Sequence, residues 1–525
     1  MIRLYDTTLR DGAQSEDVSF SHEDKIRIAR VLDDLGFHYV EGGYPGSNPR
    51  DAAFFSQLKR EPLKHAKLTA FGMTRRSGIP AHEDENLAAL LAAETPVITI
   101  VGKSWDMQVR EALRISLDEN IDLIADSVRY LAPKVDEVVY DAEHFFDAYF
   151  DNREYAMKTL RAAVDGGAKV LALCDTNGGR MPWEIGEAVR AAVAEFPAVQ
   201  IGIHCHNDGE VAVANSLEAV RAGAVHVQGT VNGLGERCGN ANLISIAADL
   251  VFKLKHPVLT EAQLQELTPV SRLVAELANV PPSKRQPYVG TSAFAHKGGM
   301  HVSAVQRATQ TYEHISPEQV GNVRRVLISD LAGRSNVLYK AKEFGIDVDG
   351  KDPRTAVLLD KLKEMESRGY QYEGAEGSFE LLMKRTFGVH KSFFRLVGFR
   401  VIDEKRSGDL NSISEASVQI EVEGKVAHTV ALGNGPVHAL DQALRKALVT
   451  FYPELASVQL LDFKVRVVSS NKGTDAVVRV LVESGDGEDK WGTVGVHESV
   501  IEAAWQALVD SFDYRLYKSE RRGER

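Results

Sequence analysis

Residues 1–257 repeat one unit eight times: a short apolar run followed by a longer segment with helical periodicity. The runs are Ile2 to Asp6, His38 to Glu41, Leu68 to Gly72, Val97 to Val101, Glu137 to Tyr140, Lys169 to Leu173, Gln200 to His204 and Val225 to Thr230. Short, nearly continuous apolar runs suit parallel strands covered by helices. Between them, Glu23 to Leu35, Asp118 to Leu131, Asn152 to Val164, Trp183 to Glu195 and Glu210 to Ala222 carry apolar stripes of helical spacing. Ser21 before His22-Glu23-Asp24 reads as a helix cap. Eight β-then-α units in this length predict an α/β fold, a closed (β/α)8 TIM barrel, over an open doubly wound sheet. No GxGxxG opens a helix after the first run, which removes the main support for dinucleotide binding.

Beyond the barrel, residues 258–390 read as mainly helical linker subdomains. Helical stretches are expected at Glu261 to Leu277 and Arg354 to Ser367, with a dense polar segment at His296 to Tyr312. Residues 391–525 read as an α+β C-terminal domain. Strands are expected at Phe394 to Ile402, Ser417 to Val422, Lys425 to Leu432, Gln459 to Val468, Ala476 to Glu483 and Lys490 to Val496. Helices are expected at Pro436 to Leu448 and Ser499 to Phe512. Thr429, Val430, Ala439, Gln442, Ala443 and Leu444 recur as Thr493, Val494, Ala503, Gln506, Ala507 and Leu508. Such a recurrence predicts two copies of a strands-then-helix unit.

Composition excludes several classes. Lys and Arg total 62 against 74 Asp and Glu, a formal charge of −12. That is the wrong sign for a nucleic-acid coat or an anionic-membrane binder. No apolar run reaches the length of about 18 residues that a membrane span needs. Met1 to Asp6 lacks the apolar stretch of a secretory signal. The cysteines are Cys174, Cys205 and Cys238, an odd number without a CxxC pair. No disulfide framework is expected, and a cytoplasmic location fits.

In a TIM barrel, chemistry sits at the C-terminal ends of the strands. Five of the eight ends here are polar and titratable: Asp6 to Gln14, Tyr140 to His144, Cys174 to Gly179, His204 to Asp208 and Asn232 to Asn240. His204 and His206 are two apart, so an extended segment places both imidazoles on one face. They are either ordinary hydrogen-bonded histidines or ligands of one divalent cation. Asp11 and Asn240 offer oxygen ligands from other strand ends. A mixed nitrogen and oxygen set with open positions suits Mg²⁺, Mn²⁺ or Zn²⁺ and leaves room for a chelating substrate. Arg10 is either a surface ion-pair partner or a fixed cation that stabilises developing negative oxygen.

Three segments, in order, resemble the family of 2-isopropylmalate, homocitrate and citramalate synthases. They are Arg10-Asp11-Gly12-Ala13-Gln14, His204-Cys205-His206-Asn207-Asp208 and Gly233-Leu234-Gly235-Glu236-Arg237-Cys238-Gly239-Asn240. The resemblance extends over nearly the whole chain. Gly433-Asn434-Gly435-Pro436-Val437-His438-Ala439 is similar to the family's regulatory domain, with His438 where an acidic residue is usual. Glu41-Gly42-Gly43-Tyr44-Pro45-Gly46-Ser47-Asn48-Pro49 and Val101-Gly102-Lys103-Ser104-Trp105-Asp106 resemble the citramalate synthase branch.

The resemblance implies a reaction and roles for residues. The family joins the methyl carbon of acetyl-CoA to the ketone of a 2-oxo acid and then hydrolyses the thioester. By resemblance, Asp11, His204, His206 and Asn240 hold the divalent metal (Mn²⁺, Mg²⁺ or Zn²⁺). Arg10 offsets the alkoxide, and Arg10, Gln14 and Thr176 bind the oxo acid; the bland reading of Thr176 is a helix N-cap. Glu143 positions substrate or transfers a proton, or else pairs with Arg10. His301, with Tyr312, takes the role of base, with His296 as its rival; the segment reads His301-Val302-Ser303 where the family has His-Gln-Asp. In the family this segment reaches a partner subunit's barrel, so a homodimer is implied. The branch implies pyruvate as the oxo acid and isoleucine as an effector at the C-terminal repeat. The alternatives are a synthase for a larger 2-oxo acid, a barrel lyase of 3-hydroxy-3-methylglutaryl thioester, and a non-catalytic metabolite sensor. The duplicated C-terminal domain weighs against the lyase.

Overall fold

The computed structural model describes residues 1–47, 49–329, 331–405, 412–468 and 476–523. They form two compact units. The first comprises Met1–Phe294 with Ile315–Arg324, the second Ala295–His314 with Arg325–Arg525.

In the first unit eight parallel strands close in sequence order into a barrel. They are β1 (Arg3–Asp6), β2 (Tyr39–Gly43), β3 (Lys67–Met73), β4 (Val97–Lys103), β5 (Glu137–Glu143), β6 (Val170–Asp175), β7 (Gln200–Cys205) and β8 (His226–Gly229). Each lies where its apolar run predicts, because a strand covered on both faces admits little else. Helices such as α1 (His22–Leu35) cover the outside. Ser21 and Asp24 form its capping box, and Gly36 closes it in the left-handed region at φ +91°.

One helical expectation divides. Glu261 to Leu277 forms two helices, Glu261–Gln265 and Leu267–Leu277, with the break at Glu266. Pro269 explains it. Proline has no N–H to give a helix interior and is tolerated only in the first turn, so the helix restarts just before it.

The lower barrel is filled by aromatic side chains. Tyr5, Tyr39 and His226 are essentially fully buried, with ring centroids 5.0 to 5.6 Å apart. Val97, Val139, Val170 and Ala172 complete this interior cluster. The barrel interior is therefore packed beneath the strand C-termini, where the site's polar residues stand.

In the second unit, β9 (Ala295–His296) pairs with β10 (Arg325–Val326). The helix Arg354–Ser367 spans the predicted residues. Two three-stranded antiparallel sheets follow: β11 (Arg395–Glu404), β12 (Ile413–Val422) and β13 (Lys425–Gly433), then β14 (Gln459–Val467), β15 (Val478–Gly485) and β16 (Lys490–His497). Each sheet is followed by a helix, Pro436–Val449 and Val500–Arg522. The sequence recurrence is a physical one. Thr429 Oγ1 donates to Ala443 O at 2.7 Å, and Thr493 Oγ1 donates to Ala507 O at 2.7 Å.

Candidate functional site

Asp11, His204 and His206 converge at the barrel mouth. Asp11 Oδ2 lies 3.3 Å from His204 Nε2 and 3.8 Å from His206 Nε2. The two imidazole centroids are 5.3 Å apart. All three side chains are buried. β7 ends at Cys205, and His206 forms a bridge to Asn240 that brings the loop after β8 to the same edge. Among the described residues this is the group of acids, histidines or cysteines whose ligand atoms lie close enough to hold a metal ion.

The electrostatics suit a cation. Burial opposes ionisation of Asp11, but Arg10 and both imidazoles outweigh it and hold the carboxyl well below its ordinary range. Burial and the neighbouring His204 push His206 down to about 4, so its ring is neutral near pH 7. Asn240 Nδ2 donates to Leu234 O at 3.1 Å, while Asn240 Oδ1 is buried with no hydrogen-bond partner. A buried unsatisfied oxygen is costly unless something binds it. A carboxylate, two imidazoles and a free amide oxygen form a donor set that fits a divalent cation.

Arg10 is a fixed cation. Its side chain is 15% exposed. Its Nε donates to Glu41 Oε1 at 2.6 Å, and Nη1 lies 3.5 Å from Asp11 Oδ1. The guanidinium sits 3.8 Å above the Phe71 ring. Glu41 is fully buried and also accepts from Thr7 Oγ1 at 2.6 Å and from the Tyr5 hydroxyl. A β-bulge between Glu41 and Gly43 interrupts the pairing of β2 with β3. Gly43 there has φ +137°, and a Cβ on it would collide with Asp51. Glu41 was not among the predicted site residues; the available signal was an acid ending an otherwise apolar run.

Arg10, Asp11, Gln14, Glu143, Thr176, His204 and His206 line one cavity of about 260 Å³, with Phe71 and Val101 as its apolar wall. Gln14 ends the short helical turn Gly12–Gln14. Glu143 pairs with Lys103 rather than Arg10. Thr176 caps no helix: its Oγ1 accepts the His144 backbone N–H at 2.8 Å. Arg237 grips both Asp208 oxygens at 2.8 and 2.9 Å and donates to Thr176 O at 2.8 Å, tying three strand-end loops together. A second hollow of about 460 Å³ shares Arg10, Gln14 and Phe71 with the first.

Comparison with known proteins identifies the relatives. Residues 1–274 match the family described as HMGL-like, 288–369 the homocitrate synthase post-HMGL domain-like family, and 373–516 the LeuA allosteric (dimerisation) domain. The chain is 59% identical to the (R)-citramalate synthase of Geobacter sulfurreducens over 520 residues, covering 99% of this chain and 98% of that protein. It is 55% identical to the (R)-citramalate synthase of Aquifex aeolicus over 522 residues, 99% of each. Against the 2-isopropylmalate synthase of Methanocaldococcus jannaschii, identity falls to 30% over 523 residues, 99% of this chain and 96% of that protein.

The chain belongs to the citramalate synthase family. In this family member, His301 and Tyr312 lie in the second unit and stack with centroids 4.2 Å apart. Both are exposed, Tyr312 by 49%. His296 Nε2 is instead 2.9 Å from Glu313 Oε1 and largely buried. Of the two histidines, His301 is the one whose ring nitrogens are not engaged by the described residues. All three cysteines are free, and among the described residues no helix is long and apolar enough to cross a membrane.

Proposed function

We propose that this citramalate synthase family member is an (R)-citramalate synthase, condensing acetyl-CoA with pyruvate and hydrolysing the thioester to release citramalate and CoA. The observation that carries this is the full-length identity of 59% to a relative of that name, against 30% to a 2-isopropylmalate synthase. Phe71 and Val101 give the cavity an apolar wall, the surface against which the methyl of pyruvate packs in this reading.

A divalent cation, Mn²⁺, Mg²⁺ or Zn²⁺, held by Asp11, His204, His206 and Asn240 would supply Lewis acidity and a fixed anchor for the oxo acid. Thr176 and Gln14 position the pyruvate carboxylate. His301 is the base that takes a proton from the acetyl methyl group, and a homodimer is what brings it to a barrel. The methyl carbon then attacks the pyruvate ketone, and the carbonyl π pair moves onto oxygen. Arg10, held on Glu41 and Asp11, stabilises that oxygen as charge develops. Glu143, paired with Lys103, orients the reacting groups or passes the proton that the oxygen takes up. Water attacks the thioester carbonyl, the C–S bond breaks, and CoA leaves as its thiol. The hollow that shares Arg10, Gln14 and Phe71 has room for the acyl-thioester arm.

The match to an allosteric dimerisation domain supports a regulated homodimer. Isoleucine is the effector we assign to it, in an enzyme of isoleucine biosynthesis. Free cysteines fit a reducing cytoplasm.

The test is CoA-thiol release from acetyl-CoA with Mn²⁺ across pyruvate, 2-oxobutyrate, 2-oxoisovalerate and 2-oxoglutarate. Each extra methylene is worth about 1–3 kcal/mol, roughly 10–200-fold in kcat/KM, so pyruvate should lead by at least that factor. A lead by 2-oxoisovalerate would make the chain an isopropylmalate synthase. No release with any of these oxo acids, in metal-replete protein, would make it a non-catalytic metabolite sensor.

A further inference from the structure

Behind His204, on the side away from Asp11, stands Gln228 of β8. Strand register dictates this placement. His204 pairs with Gln228 across β7 and β8, and Tyr5 pairs with Gln228 across β1 and β8. In-register neighbours of a sheet present their side chains to the same face, and here that face is the barrel interior. Gln228 is fully buried.

Its amide has a different neighbour on each side. Oε1 lies 2.9 Å from His204 Nδ1. Nε2 donates to Asp141 Oδ1 at 2.9 Å and faces His226 Nε2 at 3.5 Å. An amide nitrogen offers two hydrogens and an amide oxygen none. Turned over, the amide would set its oxygen against the Asp141 carboxylate, oxygen to oxygen. The observed orientation requires a proton on His204 Nδ1. Nε2, which faces Asp11 Oδ2 at 3.3 Å and pairs with it here, is then the nitrogen that gives up its proton to bind a cation. Ligating histidines are held this way by an acceptor on the far ring nitrogen, which fixes both tautomer and ring plane. His206 lacks such support, since its Nδ1 is buried without a partner.

We propose that Gln228, anchored by Asp141, is a positioning residue that holds His204 in the tautomer and ring plane needed to bind a divalent cation. This rests on the reading of Asp11, His204 and His206 as a metal site, and the experiment separates the two. Metal-free full-length protein is titrated with MnCl₂ by calorimetry at pH 8, comparing the parent with Gln228→Met, Gln228→Glu, Asp141→Asn and Asp11→Ala. Gln228→Met keeps the length but removes the acceptor, and Mn²⁺ affinity should fall about 10–100-fold. Gln228→Glu retains an acceptor for Nδ1 and should lose less than Gln228→Met. Asp141→Asn keeps the shape but loosens the anchor and should weaken binding in the same direction, which covers the case where Gln228→Met does not fold. Mn²⁺ affinity within twofold of the parent in folded Gln228→Met, or in Asp141→Asn if the former does not fold, overturns the proposal. Equal weakening in Gln228→Met and Gln228→Glu also overturns it, because the side chain then acts by packing alone. If Asp11→Ala binds Mn²⁺ like the parent, the metal-site reading itself fails and this proposal with it. If Asp11→Ala abolishes binding while Gln228→Met does not weaken it, only the positioning role fails.

Discussion

Arg10 Nε donates to Glu41 Oε1 at 2.6 Å, joining a cation at the mouth of the barrel to a fully buried carboxylate below it. Thr7 and Tyr5 hold the same carboxylate, so the guanidinium is fixed in direction as well as charge. A cation that stabilises developing negative oxygen must already be in place, because reorganisation during the reaction consumes the benefit. Glu41→Gln keeps the shape but removes the charge and one acceptor oxygen. It is expected to lower kcat by about 10²–10³-fold, the range seen when one such stabilising donor is lost, with a smaller change in the KM for pyruvate. Glu41→Ala, which leaves the buried Arg10 short of its counter-charge, is expected to destabilise as well, by about 3–5 kcal/mol. Steady-state kinetics and urea unfolding read the two effects separately. An unchanged kcat in Glu41→Gln would show that Arg10 does not need this support.

Asp11 belongs to the proposed ligand set rather than to the fold. It follows β1 in a loop whose backbone is held by the Thr7 carbonyl, which accepts from the N–H groups of Arg10, Asp11 and Gly12. Asp11→Ala is therefore expected to retain the parent's circular dichroism while turnover and Mn²⁺ binding are lost. Treatment of the parent with a chelator should abolish CoA release in the same way, and added Mn²⁺ should restore it. Turnover at the parent's rate in Asp11→Ala would remove this residue from the site.

The barrel interior predicts a specific pH dependence. Burial, aided by Arg3 and His38, pushes His226 down to about 3 from an ordinary 6.5. Between those values the unfolded chain binds this proton and the native chain does not, so stability rises with pH. The contribution is complete above about pH 6.5 and is lost as pH falls toward 3, at about 1.4 kcal/mol per pH unit for one proton. Asp6 and Asp141, both raised to about 7 chiefly by burial, act in the opposite direction. A comparison of variants is therefore the informative measurement. His226→Phe, which keeps a ring between Tyr5 and Tyr39, should lose less stability than the parent between pH 7 and pH 5. Parallel curves of urea midpoint against pH would show that His226 titrates normally in the native state.

The duplicated threonines allow a matched comparison. Thr493 is fully buried and Thr429 is partly exposed, yet each makes the same bond from sheet to helix. Replacing either by Val removes a bond worth about 0.5–1.5 kcal/mol. Thr493→Val should cost more than Thr429→Val, since water can reach the site of Thr429 and replace the lost partner. Thermal melts of the full-length chain would show the order; equal shifts would mean that burial does not set the cost here.

The sequence reveals different parts of this molecule to different degrees. Eight covered strands leave an apolar rhythm that few other folds produce, and all eight were legible. Asp11, His204 and His206 were legible because each lies within a few residues of a strand end, where local spacing already places it. The partners were not. Glu41 beneath Arg10 and Lys103 beside Glu143 depend on which strands lie adjacent and on their register, and no local pattern encodes that. Thr176 has a second reading as a helix cap, since a hydroxyl before a helical segment often is one; in the structure its Oγ1 instead accepts the N–H of His144. The break at Glu266 lay in plain view, since Pro269 follows it, but the apolar stripe on either side masked it.

The exposed pair His301 and Tyr312 tests the base and the dimer together. The rings stack at 4.2 Å, while His296 is engaged by Glu313. A base in this position contributes about 10²–10⁴-fold, so His301→Ala should lose that much in kcat with little change in the KM for pyruvate. Tyr312→Phe keeps the stack and should lose less. His296→Ala should lower stability more than it lowers kcat. If His301 acts at the barrel of a partner copy, His301→Ala and Asp11→Ala chains are each inactive alone but complement when co-expressed. Each mixed dimer then carries one site with an intact barrel and an intact histidine. Half of the dimers are mixed and half of their sites are competent, so about one quarter of the parent's activity should return in a two-fold dimer. Recovery at that level would place the base across the dimer. No recovery, with mixed dimers shown to form, would place His301 and Asp11 in the same site of one chain or remove His301 from the reaction, and the rate of His301→Ala alone decides between those two.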